Sequence, residues 1–134
     1  MRMEPAEAGH LLAMMAEPEL RLTLPPSLYR LILAQVGLSE AFAFFVDGLT
    51  APVALAGMAP IDGTGDRDCW FLVSPLAGPH MRRFVRLARA VLASRTGCIC
   101  FVRPENRQGR RLAALLGFTP EDHYVGRHQR WRRQ

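Results

Sequence analysis

An amphipathic stretch over residues 80–93, followed by an apolar stretch over 98–102, limits the possible folds more than any other feature of this chain. In the first stretch apolar residues recur every three to four positions, which predicts a helix with one buried side. The second stretch, Cys-Ile-Cys-Phe-Val, is typical of a buried strand. A strand before the helix and a strand after it form a right-handed crossover between parallel strands. The apolar side of the helix consists of Met81, Phe84, Val85, Ala88, Val91 and Leu92.

The rest of the chain predicts a mixed α/β sheet with helices on its faces. Turn residues separate three apolar segments ahead of the crossover, and turns this short join antiparallel strands. The predicted strands are 40–47, 52–60, 68–74, 98–102 and a last strand or arm over 123–131. The predicted helices are 5–15, 27–36 ending at Gly37, 80–93, and 106–116 with Leu112, Leu115 and Leu116 facing inward. The first strand of such a sheet would be absent or reduced to residues 1–3.

One domain over residues 1–134 accommodates all of these elements. We divide it into a helical start (1–37), a set of antiparallel strands (38–77) and a second half with a basic C-terminal arm (78–134).

Charge is distributed unevenly along the chain. Residues 1–80 hold four arginines and nine acidic residues, a net charge of −5, whereas residues 81–134 hold thirteen arginines and three acidic residues, a net charge of +10. The chain has no lysine. Such a split indicates either a basic surface for phosphate, nucleic acid or an acidic partner, or a solvated arginine-rich surface.

The three cysteines and the hydropathy of the chain indicate a compartment. Cys69, Cys98 and Cys100 are an odd number, and the last two share one face of a strand, so we expect buried, reduced thiols and no metal site. No apolar run reaches the roughly 18 residues that a membrane helix needs. The N-terminal residues lack the pattern of a secretory signal. We expect the protein in the host cytoplasm or in a virion, with no membrane partner.

The order of elements, together with the segment from Asn106 to Phe118, resembles the Gcn5-related N-acetyltransferase (GNAT) superfamily. Asn106, ten residues and then Gly117-Phe118, with leucines between, is similar to that family's asparagine and Leu-Gly-Phe segment. Val73-Ser74-Pro75 matches the opening of the family's coenzyme loop. Further along, Gly78, Met81 and Arg83 stand where the family has arginine or glutamine and two small residues. Ala113 stands where many catalytic members have a tyrosine acid.

The resemblance implies a coenzyme-binding region and assigns candidate residues to it. A loop of this kind holds the pyrophosphate on backbone N–H groups at a helix N-terminus. The candidate cofactor-binding residues are Val73, Ser74, Gly78, His80, Arg82, Arg83 and Asn106. Each also has a structural interpretation; Asn106, for example, can cap the helix that follows it. No catalytic residue is assigned, although Glu40, Asp47 and Asp68 lie near the strands that would carry a general base.

Phage-encoded GNAT-like proteins, related to an internal virion protein of podoviruses, are similar to this chain without a gap from Leu72 to Phe118. With the altered loop and Ala113, this resemblance implies a catalytically degenerate virion component or assembly factor, with a phage structural or assembly protein as partner. The alternative is an acetyl-CoA-dependent N-acyltransferase acting on a small-molecule or protein amine, with acetyl-CoA as its cofactor. A second alternative is a nucleic-acid-binding module that uses the arginine-rich half.

Overall fold

The computed structural model describes all residues from 1 to 134 and contains seven strands, four α-helices and two 3₁₀ turns. The strands are β1 (Arg2–Pro5), β2 (Glu40–Phe45), β3 (Ala54–Pro60), β4 (Arg67–Val73), β5 (Cys98–Val102), β6 (Phe118–Val125) and β7 (His128–Arg133). The helices are α1 (Ala8–Ala16), α2 (Pro26–Leu38), α3 (Met81–Ala93) and α4 (Arg107–Leu115). The 3₁₀ turns are Pro18–Leu20 and Pro75–His80.

The strands form one mixed sheet in the order β1-β2-β3-β4-β5-β7-β6. Strand β4 pairs with β5 in parallel, with Arg67 opposite Cys98 and Asp68 opposite Ile99, while β1–β2, β2–β3, β5–β7 and β6–β7 are antiparallel. The predicted α/β class and the parallel crossover through α3 are therefore confirmed. The first strand is present but short, four residues long.

The chain divides into two compact units, each built from two separate segments. The first unit contains residues 1–59 and 70–84, and the second contains residues 60–69 and 85–134.

The core of the first unit lies between α1, α2 and one face of β2. Leu11 and Met14 of α1, Ile32 and Val36 of α2, and Phe45 of β2 are buried in a single cluster. The side chain of the preceding residue of β2 points the other way, because strand side chains alternate. That residue, Phe44, packs edge-to-face on Phe84 of α3, with ring centroids 4.8 Å apart.

The second unit is built on the β5–β7–β6 ladder. Cys100 lies opposite Trp131, and Trp131 lies opposite Pro120, so the three residues share one face across three strands. Helix α4 lies against this ladder: the Arg133 guanidinium donates to the carbonyl of Leu116, just beyond the C-terminal end of α4 (3.0 Å).

Several predicted boundaries were wrong. Helix α1 begins at Ala8, because Pro5 pairs with Phe42 as the last residue of β1. Gly37 lies inside α2, which ends one residue later at Leu38. The next residue, Ser39, caps the helix by donating its N–H to the Gln35 carbonyl. The predicted terminal strand or arm is a hairpin of two strands that turns at Gly126, whose φ of 59° is left-handed.

The inward face of α4 also differs from the prediction. Leu115 is 46% exposed, whereas Ala113 is buried and Leu116 fully so. None of the four α-helices is both long and apolar enough to span a membrane.

Candidate functional site

The candidate site is the turn that joins β4 to α3 in the first unit. Strand β4 ends at half-buried Val73, the chain then forms the 3₁₀ turn Pro75–His80, and α3 begins at Met81. Two backbone bonds hold the start of this turn: the Ser74 N–H donates to the Val53 carbonyl, and the Ala77 N–H donates to the Ser74 carbonyl, both at 3.0 Å. The turn is therefore a fixed structure whose first residue is anchored to the segment leading into β3.

Ser74 is the unusual residue of this turn. It is 2% exposed, and its hydroxyl Oγ has no hydrogen-bond partner in the chain. A buried polar group without a partner costs about 1–3 kcal/mol, so such groups are rare in folded proteins. A bound molecule with a donor or acceptor at this position would remove the penalty.

At Gly78 no side chain covers the backbone of the turn. Its φ lies outside the left-handed region, and a Cβ added there would meet no atom within 4 Å. Neither backbone strain nor crowding within the chain therefore requires glycine at this position, and the open space beside it would let a ligand approach the backbone closely. By contrast, the two prolines of the turn reduce the number of backbone donors available to a ligand, because Pro75 and Pro79 have no N–H to donate.

Three cationic or titratable side chains lie at the end of the turn and in the first helical turn after it. His80 is half-buried at the last position of the 3₁₀ turn, and Arg82 and Arg83 are exposed in the first turn of α3. That first helical turn carries no acidic residue. Together with the positive end of the helix dipole, these side chains favour an anion beside the turn. Six of the seven predicted cofactor-binding residues, Val73 to Arg83, thus belong to one continuous structure in the first unit.

Asn106, the seventh predicted residue, belongs to the second unit and has a structural role there. It is the N-cap of α4, and its Oδ1 accepts a hydrogen bond from the Gly109 N–H (2.9 Å). A Cβ at Gly109 would lie 2.6 Å from Asn106 Nδ2, so the cap requires glycine at that position. The capping function is observed, and coenzyme binding by Asn106 remains a prediction.

The three candidate acids have different surroundings. Glu40 is the first residue of β2, and Asp47 lies in the exposed turn after that strand. Asp68 lies within β4 in the second unit, and burial raises the pKa of its carboxyl above the usual value. The raised pKa of Asp68 is a property that many general bases share with buried structural acids.

The cysteines lie where the sequence predicted, buried and unbonded in neighbouring strands. The neighbouring Cys69 thiol, together with Arg67, Arg133 and Arg95, lowers the pKa of Cys98, and Cys98 in turn raises the pKa of Cys69. Burial raises the pKa of Cys100 to about 12. Because Cys98 is fully buried, its sulfur is shielded from reagents in solution. No group of three or more His, Cys, Asp or Glu side chains is arranged to hold a metal ion.

Sequence reasoning missed one further feature, in the second unit. Trp131 of β7 is buried, and its indole Nε1 has no hydrogen-bond partner. The run of arginines around Trp131 in the sequence suggested a basic C-terminal arm, and no sequence signal shows that β6 and β5 enclose the indole.

Solved structures match this fold over nearly the whole chain. An acetyltransferase from Agrobacterium tumefaciens superimposes with a TM-score of 0.70 at 13% identity, covering 98% of this chain and 89% of the other. The PaiA N-acetyltransferase from Thermoplasma acidophilum, in complex with coenzyme A, gives 0.67 at 9% identity, covering 99% and 98%. An IAA acetyltransferase from Bacillus cereus gives 0.65 at 13% identity, covering 97% and 96%.

The chain therefore has the fold of the GNAT-family acetyltransferases. At these identities the likeness defines the fold and leaves the activity open. No family model matches the sequence, and no curated protein matches it.

Proposed function

We propose that this protein is an acyl-CoA-dependent N-acyltransferase whose β4–α3 turn holds the phosphates of the coenzyme. The observation that carries the proposal is the buried, unpartnered Ser74 hydroxyl at the start of that turn. It is supported by the shared fold with an N-acetyltransferase solved in complex with coenzyme A.

The residues of the turn fit the group chemically. The Ser74 hydroxyl supplies a polar contact, bare Gly78 allows close approach of the backbone, and Arg82 and Arg83 supply charge-assisted bonds to phosphate oxygens. The two prolines reduce the number of backbone donors, so the arginines carry more of the phosphate binding than backbone N–H groups do. Arginine suits that role because its planar guanidinium can donate two parallel bonds to a phosphate.

A bound acyl-coenzyme A would supply a thioester from which the acyl group passes to the acceptor amine, with the coenzyme thiolate as leaving group. Helix α4 offers no side-chain acid for the departing thiolate at the position where the family has tyrosine, because Ala113 stands there and is 3% exposed. The thiolate would then be protonated by water or by the proton that the amine releases.

The role as a virion component, predicted from the resemblance to phage proteins, gains no support from the fold or from the solved structures that share it. The same holds for a phage protein as partner. The lost loop residues and Ala113 are compatible with a slow enzyme as well as with a degenerate one.

An acyl-transfer assay tests the proposal. Acetyl-CoA is incubated with the protein and a panel of amines (a polyamine, a peptide with a free N-terminus and a lysine peptide), and release of free coenzyme thiol is followed. We expect amine-dependent release with at least one acceptor. Arg82→Gln/Arg83→Gln should raise the KM for acetyl-CoA at least tenfold, since the loss of a single charge-assisted bond of about 1.5 kcal/mol already weakens binding about tenfold.

The matched control is Arg21→Gln/Arg30→Gln, which removes the same charge from exposed positions of the first unit. Its KM should equal that of the wild type. Absence of amine-dependent release from the whole panel would remove the support for catalysis.

A further inference from the structure

We propose that the second unit binds the phosphate backbone of a nucleic acid through an arginine surface formed by Arg86 of α3 and Arg107 and Arg111 of α4. The inference starts from composition. Helices α3 and α4 together hold seven arginines and no acidic residue. The inference is independent of the coenzyme turn and of acyl transfer.

The second half of α3 and the whole of α4 lie next to each other in this unit. The Arg89 guanidinium of α3 donates to the Leu115 carbonyl at the C-terminal end of α4 (2.9 Å). Strands β5 and β6 run in the same direction, since both are antiparallel to β7, so the right-handed crossovers through α3 and α4 place both helices on one side of the sheet. Arg86 is one turn before Arg89, and Arg111 is one turn before Leu115.

The charges of this surface are not neutralised within the chain. Three other arginines of the second unit do pair with its acids: Arg132 makes a two-pronged bond to Asp66 (3.0 and 3.2 Å), Arg130 binds Glu121 at 2.7 Å, and Arg103 lies 3.9 Å from Glu105. Arg86, Arg107 and Arg111 are exposed and take part in no ion pair.

The arrangement of these charges opposes helix stability. Arg107 and Arg111 are four residues apart, where like charges repel, and Arg107 is the first residue of α4, where the helix dipole disfavours a cation. A bound polyanion would reverse both effects.

The surroundings favour nucleic acid over an acidic protein. Protein interfaces usually have an apolar centre enriched in aromatic residues. On α4 the exposed residues are arginine, glutamine and alanine, apart from Leu115 at its last position, and the arginine surface contains no aromatic residue. Guanidinium groups without an apolar centre suit the regularly repeated phosphates of a nucleic acid backbone. Recognition of that kind does not read base sequence.

Fluorescence anisotropy with a labelled duplex of random sequence tests the proposal, using the full chain. We expect saturable binding at about 50 mM salt that weakens as salt rises, with a slope in log K against log salt of about −0.9 for each phosphate neutralised. Arg107→Gln/Arg111→Gln should make that slope shallower by about two contacts and reduce the affinity at least tenfold. Adding Arg86→Gln should remove about one contact more.

The charge-matched control is Arg21→Gln/Arg30→Gln, which lies in the first unit and should leave both slope and affinity unchanged. An equal loss in the control would overturn the proposal, because net charge alone would then explain binding. Two other results would also overturn it: tighter binding of polyglutamate than of the duplex, which would indicate an acidic protein, and full displacement of the duplex by adenosine 3′,5′-bisphosphate, which would assign these arginines to the coenzyme.

Discussion

Asp68 lies within β4, and Ser74 lies in the turn that follows this strand. Unlike the solvated polar residues of the chain, both are shielded from water by the fold. The Ser74 hydroxyl is buried without a partner, and the Asp68 carboxyl is held where burial disfavours its charge. Both arrangements reduce the stability of the folded chain, the first by desolvating a hydroxyl and the second by desolvating a carboxylate. Perturbed groups of this kind cluster at functional sites, and buried structural groups share the property.

Asp68→Asn tests the second arrangement through its pH dependence. The folded protein holds the Asp68 proton more tightly than the unfolded chain, whose carboxyl has the ordinary pKa of 3.8. The contribution of this group to stability is therefore greatest below 3.8 and is lost as the pH rises through the raised folded pKa. We expect the melting temperature of Asp68→Asn to exceed that of the wild type at neutral pH, and the difference to vanish below about pH 3.8.

Asp66→Asn is the control variant, for which we expect a change in melting temperature of the opposite sign. Its hydrogen bond from Arg132 lowers the pKa of Asp66, so the carboxylate stabilises the fold at neutral pH and this contribution is lost as the pH falls below 3.8. The variant should melt below the wild type at neutral pH. A shift of the same sign in both variants would contradict this account of the two carboxyls.

At the scale of elements, α3 was predictable and the C-terminal hairpin was not. Helix α3 has a long apolar stripe with helical period, and the structure buries Phe84, Ala88 and Leu92 as that stripe predicts. Strand β6 has the sequence Phe-Thr-Pro-Glu-Asp-His-Tyr-Val, which contains three residue types depleted in strands. It becomes a strand because it pairs with β7, which is itself paired with β5 about thirty residues earlier in the chain, and that distant pairing leaves little trace in local composition.

Helix α4 shows why an inward face is harder to predict in a short helix. Its nine residues complete only two and a half turns, so a small rotation decides which leucine is buried. In the structure, helix α4 is oriented so that Ala113 and Leu116 face inward and Leu115 does not.

Phe84→Ala tests the packing of α3, with Leu115→Ala as its exposed counterpart. Phe84 is fully buried against Phe44, so its truncation leaves a cavity and should destabilise the protein by about 3–5 kcal/mol. Leu115 is 46% exposed, and its truncation should cost less than about 1 kcal/mol. Urea denaturation of both variants measures the free energies of unfolding, and equal losses would mean that α3 or α4 faces the wrong way.

At the scale of the whole molecule, the sequence predicted the GNAT-like order of elements and singled out the β4–α3 turn that we propose binds the coenzyme, but it could not predict how that turn is built. Val73-Ser74-Pro75 identified the place by resemblance, and Gly78, His80, Arg82 and Arg83 followed by position. That the Ser74 hydroxyl is buried and unpartnered depends on the segment at Val53, which is twenty-one residues away in the chain. Asn106 was assigned two possible roles, and the structure shows the capping role.

The most direct test of the account is calorimetric titration of acetyl-CoA into the wild type, Ser74→Ala and Ser94→Ala, with melting temperatures of the ligand-free proteins. Ser94 is the control because its exposed hydroxyl has a partner, the Val91 carbonyl at 2.8 Å. The account predicts saturable binding to the wild type and to Ser94→Ala. Ser74→Ala should bind roughly fivefold more weakly, the loss of about 1 kcal/mol for one hydrogen bond, yet melt at the same or a higher temperature without ligand. No binding of acetyl-CoA to the wild type at millimolar concentration, or equal affinities in all three proteins, would contradict it.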